Sequence, residues 1–184
     1  MISKNEEILF RRYLSGASIV FEWGCGKTTE IAARYCASDK NSVKEVHSVD
    51  SHNFWIEELK SKKVKAKFYY VDINAKKKLG HPKDKSKIKN WPAYSGKILE
   101  LSTPPDLVLV DGRFRVACAL KLVSVLPKHG FLLVHDWNRK AYHVITAFYD
   151  IVEVCGRFCV LKKKGAIDQE RLKAMIKRYE LVPG

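Results

Sequence analysis

Two uninterrupted apolar runs, Leu107-Val108-Leu109-Val110 and Phe131-Leu132-Leu133-Val134, each followed within two residues by an aspartate, constrain this chain more than any other feature. A strand that is apolar at every position has no face to give to water, so it belongs in the middle of a parallel sheet covered by helices on both sides. Parallel neighbours need crossover connections, and the chain supplies them. Strand-like runs at 17–22, 43–50 and 66–72 alternate with helical patterns at 28–36 and 53–61, and a helix near 115–125 separates the two apolar runs. Ahead of these, Ser3-Lys4-Asn5-Glu6 has the form of a capping box and opens a helix over 4–15. A helix over 139–149 leads into strands at 151–156 and 157–162 joined by a tight turn, and a docked helix over 168–181 follows. The expected fold is a doubly wound, Rossmann-like α/β sheet of seven strands, mostly parallel with an antiparallel edge pair, and with helices on both faces.

A chain of 184 residues hides roughly 70% of its unfolded surface on folding, and no internal repeat divides it, so residues 1–184 read as a single domain. One stretch breaks the alternation. Residues 73–104 carry lysines, Gly80, His81-Pro82, Trp91-Pro92, Gly96 and Pro104-Pro105, and read as a long basic loop, a functional lid or a disordered segment. No apolar run approaches the roughly 20 residues that span a bilayer, and the start is not a basic segment followed by an apolar one. A soluble, cytoplasmic protein with no membrane partner is expected. The cysteines at 25, 36, 118, 155 and 159 form an odd, scattered set and are expected as free thiols.

The net charge of +14 is the compositional outlier. Lysines 60, 62, 63, 65, 67, 76, 77, 78, 83, 85, 87 and 89 crowd one third of the chain, opposed there by Asp72 and Asp84. Such a patch attracts phosphate or carboxylate groups and would serve a nucleic-acid partner through lysines 60–89. The alternative is a set of solvated lysines that keep a small protein soluble.

In an open parallel sheet, ligands bind beyond the carboxyl ends of the strands, near the point where strand order reverses. The residues at those ends are Glu22, Asp50, Asp72, Asp111 and Asp136. A buried strand terminus holds an acid at a cost unless it has a partner, so an array of five is the functional signal. At Gly24-Cys25-Gly26 the glycines let the backbone turn sharply and approach a ligand, and the following helix presents free N–H groups. Asp50, ending the second strand, is positioned for a ribose diol. These features fit any adenosine-bearing cofactor. A P-loop would need glycine where Phe21 stands, and a dinucleotide turn wants a third glycine near Thr29. Glu22 would repel phosphates, whereas it suits a net cationic ligand.

Glu22-Trp23-Gly24-Cys25-Gly26 resembles the first motif of class I S-adenosylmethionine-dependent methyltransferases, an acid followed by GxG. His47-Ser48-Val49-Asp50 is similar to their second motif and Asp106-Leu107-Val108-Leu109-Val110-Asp111-Gly112 to their fourth. Pro127-Lys128-His129-Gly130-Phe131-Leu132-Leu133-Val134-His135-Asp136 is similar to a strand of the branch containing small-molecule and sugar O-methyltransferases. The likeness covers residues 17–161. It implies S-adenosylmethionine as the cofactor, with Glu22 and the Gly24, Cys25, Gly26 backbone at its methionine part and Asp50 and Ser51 at its ribose. Asp72 or its neighbours would meet the adenine edge, and Asp111 would lie near the sulfonium and the acceptor.

The first expectation for the acceptor is a hydroxyl of a small molecule or saccharide, anionic in one version. RNA methylation through the lysine-rich patch is the alternative, and a non-catalytic basic binding module that retains the fold is another. Candidate bases are Asp111, His135 and Asp136; His135 is alternatively a structural histidine. Relatives often carry Asp-Gly-x-His where this chain reads Asp111-Gly112-Arg113-Phe114-Arg115, so the histidine of that position is missing. Metal-dependent relatives place an Asp-Asn or Asp-Asp pair after the next strand; Asp136 matches, but Trp137 follows and Asn138 is one residue late. A divalent ion is admitted and not favoured. Arg113 and Arg115 either clamp an anionic acceptor through their planar forks or pair with Asp111 or Asp136 to satisfy the strand ends. Trp91, Tyr94 and His81 either roof the acceptor pocket or anchor the long loop to the surface.

Overall fold

The computed structural model describes residues 2–36, 43–76 and 80–184; Lys77 and Lys78 of the basic run lie outside them. Helix α1 (Lys4–Leu14) starts at the capping box read from the sequence: Ser3 Oγ accepts from the Glu6 N–H at 3.3 Å, and Glu6 Oε2 accepts from the Ser3 N–H at 2.6 Å. The following elements are β1 (Ile19–Trp23), α2 (Lys27–Cys36), β2 (Glu45–Asp50), α3 (Asn53–Ser61), β3 (Lys67–Tyr70) and α4 (Trp91–Gly96). Then come β4 (Leu107–Val110), α5 (Arg115–Leu122), β5 (Phe131–Val134), β6 (Tyr149–Cys155), β7 (Phe158–Lys163) and α6 (Gln169–Tyr179).

The seven strands form one sheet in the order β3-β2-β1-β4-β5-β7-β6. Strands β1 to β5 pair in parallel, and β7 runs antiparallel to both β5 and β6. The chain builds outward from β1 to β3 and returns to lay β4 on the other side of β1, so the order reverses at the β1/β4 junction. The crevice required for a ligand opens there, beyond the carboxyl ends.

Register explains why both faces of the sheet are apolar. Val20 pairs with Val46 and with Leu107, and this row, with Leu109, Leu133 and Val160, packs under α1 and α2. The alternate row of Phe21, Val108, Leu132 and Leu161 joins Trp23, Val110 and Val134 beneath α4, α5 and α6. With a period of two, every residue of β4 faces one core or the other, which is why its sequence shows no alternation.

The structure departs from expectation in two stretches. Residues 73–104 are not a loop throughout: α4, flanked by 3-10 turns at 88–90 and 97–100, takes the place of a crossover helix and buries Trp91, Tyr94 and Ile98. Pro92 was read as a breaker, but in the first turn of a helix it costs nothing, because that N–H has no helical partner. The helix expected over 139–149 is a 3-10 helix over 140–147, and Tyr149 already belongs to β6.

The lysine-rich stretch is also less uniform than its sequence. Lys62 pairs with Glu30 at 3.2 Å and Glu58 at 2.6 Å, Lys67 with Glu45 at 2.7 Å, and Lys87 with Asp72 at 3.3 Å. Exposed pairs of this kind add little stability, but acids from outside the stretch lower its field. Cys118 and Cys159 are buried, and all five cysteines are free. Among the described residues no helix is long and apolar enough to cross a membrane.

Candidate active site

A cavity of about 730 Å³ lies over the β1/β4 junction, within the size range of small-molecule sites. Its walls come from the ends of β1, β2, β4 and β5, and Gly24, Cys25, Asp50, Ser51, Asp111, Arg113, His135 and Asp136 all line it. The structure thus brings together eight of the residues singled out from the sequence. It does not bring Glu22, Gly26 or Asp72 to the cavity wall.

Glu22 sits beneath the turn, 2% exposed, where its carboxylate accepts from the hydroxyls of Thr28, Thr29 and Ser48. Burial pushes its pKa up to about 7, against the lowering effect of those three hydroxyls. The sign follows. Between pH 4.5 and about 7 the unfolded chain ionises Glu22 while the folded protein keeps its proton, so stability falls as pH rises and levels off above 7. At about 1.4 kcal/mol per unit, the loss is on the order of 3 kcal/mol. Urea titration at pH 5 and pH 8 is expected to show Glu22→Gln gaining on the wild type at the higher pH. An identical difference at both values would mean that Glu22 titrates normally.

Gly24 has φ of +102°, and a Cβ added there would lie 2.8 Å from the Gly112 nitrogen. The turn therefore rests directly on the backbone at the end of β4. Asp50 ties it to β2: one carboxylate oxygen accepts from the Cys25 N–H at 2.8 Å and the other from the His52 N–H at 2.7 Å. A carboxylate has about four lone-pair sites, so Asp50 retains acceptor capacity toward the cavity. Burial, followed by the nearby Asp50 charge, holds the Cys25 thiol protonated, so it supplies no nucleophile. Gly26 is different, since an added Cβ would meet nothing within 4 Å. Asp72 lies one strand further out, paired with Lys87 and accepting from the Asn74 N–H at 2.8 Å.

At the other end of the cavity, Asp111 Oδ1 is held by His135 Nδ1 at 2.9 Å and Arg115 Nη2 at 3.0 Å. Its Oδ2 has no hydrogen-bond partner among the described residues and the side chain is 32% exposed, so a free acceptor atom faces the cavity. Burial raises the Asp111 pKa, but His135 and Arg115 outweigh it and leave the carboxyl below its ordinary value. His135 offers no free nitrogen to a ligand: Nδ1 is on Asp111, and Nε2 is sealed in the interior without a protein partner. Asp136 pairs with three guanidinium groups, Arg157 at 3.0 Å, Arg115 at 3.2 Å and Arg139 at 3.3 Å, with a cation on each of its oxygens.

Asp111, His135 and Asp136 have ligand atoms within 4.8 Å of one another, the spacing of a metal site. The donor set does not fit a divalent ion: guanidinium groups pair with Asp111 Oδ1 and with both oxygens of Asp136, and His135 Nδ1 is on Asp111, which leaves Asp111 Oδ2 as the single donor atom of the set without a partner among the described residues. Arg115 carries most of that work. It donates to the carbonyls of Gly112, His135 and Asp111 at 3.0, 2.6 and 3.0 Å besides pairing with both aspartates. It is therefore the arginine that satisfies the strand ends. Arg113, two residues away, pairs with no carboxylate among the described residues; its Nη1 lies 2.6 Å from His81 Nε2.

Of the three residues expected to roof the pocket, Tyr94 reaches the cavity wall and receives the Arg113 N–H at 3.3 Å. Trp91 does neither of the things expected of it: it packs in the core against Phe114, with ring centroids 5.5 Å apart. Arg139 and Arg157 were missed. No motif marks them, and Arg157 reaches the site from the β6–β7 turn, where Glu6 of α1 accepts from its N–H at 2.6 Å.

No protein-family model matches the sequence, and no curated relative matches it. Solved structures match the fold. A methyltransferase-like protein from Silicibacter pomeroyi superposes with a TM-score of 0.83 at 24% identity, covering 100% of this chain and 97% of that one. A TehB-like SAM-dependent methyltransferase from Corynebacterium glutamicum gives 0.54 at 12% identity, covering 86% of each chain. The TDP-rhamnose 3'-O-methyltransferase CalS11 of calicheamicin biosynthesis gives 0.54 at 10% identity, covering 85% of this chain and 76% of that one.

Proposed function

We propose that this chain, which has the class I methyltransferase fold, transfers a methyl group from S-adenosylmethionine to a hydroxyl of a small-molecule or saccharide acceptor. The observation that carries the reading is the pairing, across one cavity, of a glycine turn locked to Asp50 with an aspartate, Asp111, one of whose oxygens has no partner among the described residues. Gly24, the Cys25 backbone, Asp50 and Ser51 would hold the cofactor. The turn fits it because Gly24 and Cys25 line the cavity wall, and Asp50 has lone pairs left for hydroxyl groups. When bound, the cofactor supplies an electrophilic methyl group on a sulfonium.

The protein's share is alignment and removal of a proton. Asp111 Oδ2 accepts the acceptor's hydroxyl hydrogen, which orients the oxygen lone pair. The lowered Asp111 pKa makes it a weak base toward a neutral alcohol, but this is no obstacle. In the transfer the sulfonium C–S bond would break as the C–O bond forms, with the neutral thioether leaving, and the hydroxyl proton, made far more acidic by the bond forming to its oxygen, would pass to Asp111 Oδ2. His135 and Arg115 act on Oδ1 and keep the carboxylate from rotating. Of the other candidate bases, Asp136 has its oxygens engaged by three arginines, and His135 is a positioning residue.

Two measurements test this. Calorimetry with S-adenosylhomocysteine is expected to give one site per chain, and the absence of binding would favour a non-catalytic module. Asp111→Asn is expected to lower turnover of an identified acceptor by 10²–10⁴-fold, the usual scale of general-base loss, with the affinity for S-adenosylhomocysteine little changed. Turnover within threefold of wild type would remove Asp111 from the chemistry.

A further inference from the structure

We infer that the acceptor carries a terminal anionic group, a phosphate or a carboxylate, which docks on the Arg113 guanidinium. This rests on the methyl-transfer reading of the same cavity and narrows its substrate class.

Arg113 lacks a carboxylate partner among the described residues. It is 6% exposed, and a guanidinium offers five N–H donors in a planar fork. One nitrogen, Nη1, is used on His81 Nε2, and the remaining guanidinium nitrogens make no hydrogen bond among the described residues. They are not sealed off either, since the buried side-chain atoms without a partner are His52 Nδ1 and His135 Nε2. Arg113 lines the cavity, so those donors open onto it. Burial of a charge without a partner is unfavourable, and Arg115, Arg139 and Arg157 do not share this condition because each pairs with Asp111 or Asp136.

Charge balance points the same way. Lys76, Arg113, Arg115, Arg139 and Arg157 face three carboxylates, Asp50, Asp111 and Asp136, across the cavity wall. That excess of positive charge precedes any ligand, and a methyl donor with a sulfonium adds to it. An acceptor bearing an anion is the component that restores neutrality, and an Arg fork binds phosphate or carboxylate with two parallel hydrogen bonds. Position supports a small molecule over a polymer. Arg113 follows Asp111 by two residues and is recessed beside Tyr94, so the anion and the reacting hydroxyl belong to neighbouring parts of one compact ligand. The overall charge of +14 would draw such a ligand toward the site from solution.

The test titrates wild-type protein saturated with S-adenosylhomocysteine by calorimetry at fixed ionic strength, with inorganic phosphate and pyrophosphate in one series and acetate and succinate in another. We expect one series to bind, with Arg113→Ala weakening it at least tenfold and Arg113→Lys less, and the series that binds identifies the source of the anion. Thermal melting and S-adenosylhomocysteine binding confirm that the variants are folded; if Arg113→Ala is not, Arg113→Gln carries the comparison. No binding of either series to the wild type would overturn the inference, as would equal binding by wild type and variant. If S-adenosylhomocysteine itself does not bind, the proposed function fails, and the anion titration run without it still decides the role of Arg113.

Discussion

Arg115→Ala is expected to destabilise the protein by about 3–5 kcal/mol, the scale seen when one partner of a buried ion pair is removed. The side chain is 5% exposed and ties the end of β4 to the end of β5. Its loss leaves Asp111 Oδ1 with His135 alone and removes the Arg115 share of Asp136. It also strands the carbonyls of Gly112, His135 and Asp111, which have no other side-chain donor among the described residues. For a chain of this size the loss corresponds to a drop in Tm of roughly 10 °C. Arg115→Lys is expected to recover only part of it, since an ammonium cannot span three carbonyls and two carboxylates from one plane. A melt of Arg115→Ala within 2 °C of wild type would contradict the assignment of Arg115 as the tie between strand ends.

Gly24→Ala is expected to cost about 3 kcal/mol or more and to abolish S-adenosylhomocysteine binding. A φ of +102° is strained for any residue with a side chain, at about 1–3 kcal/mol. The added Cβ would also lie 2.8 Å from the Gly112 nitrogen and 3.0 Å from the Asp111 carbonyl carbon. Those are backbone atoms of the next strand, held by the Asp111 N–H to Trp23 carbonyl bond at 2.9 Å, so relief requires parting β1 from β4. Gly26→Ala is the control. With nothing within 4 Å of the new methyl, its stability is expected to stay within about 0.5 kcal/mol of wild type. If denaturation gave equal losses for the two variants, close approach to β4 would not be the reason that glycine is needed at position 24.

The contrast between these glycines marks the boundary of what was legible. Both stand in one GxG motif, and nothing local distinguishes them; the difference lies in Gly112, which arrives from 88 residues later. The long segment 73–104 was misread for a related reason. Trp91, Tyr94 and Ile98 are spaced for one buried helical face, but prolines and lysines around them looked like loop, and the tertiary core overrode that local signal.

What the sequence by itself determined was the sheet, its edge hairpin and the capping box. Apolar periodicity and strand-end acids are local properties, and local periods dictate which faces must be buried. It also put Asp50, Asp111, His135 and Asp136 at strand ends, where the fold then gathered them around one cavity. Only the tertiary structure decided what each of these groups is bonded to. Arg113 and Arg115 are the same residue type two positions apart, yet one is consumed by Asp111, Asp136 and three carbonyls while the other opens onto the cavity. Glu22 and Asp111 both end strands, yet three hydroxyls hold Glu22 beneath its turn, while Asp111 lines the cavity with one oxygen unpaired among the described residues. The partners that cross between elements, Ser48 to Glu22, His135 to Asp111 and Arg115 to Asp136, complete these arrangements, and such long-range contacts are encoded by no local pattern.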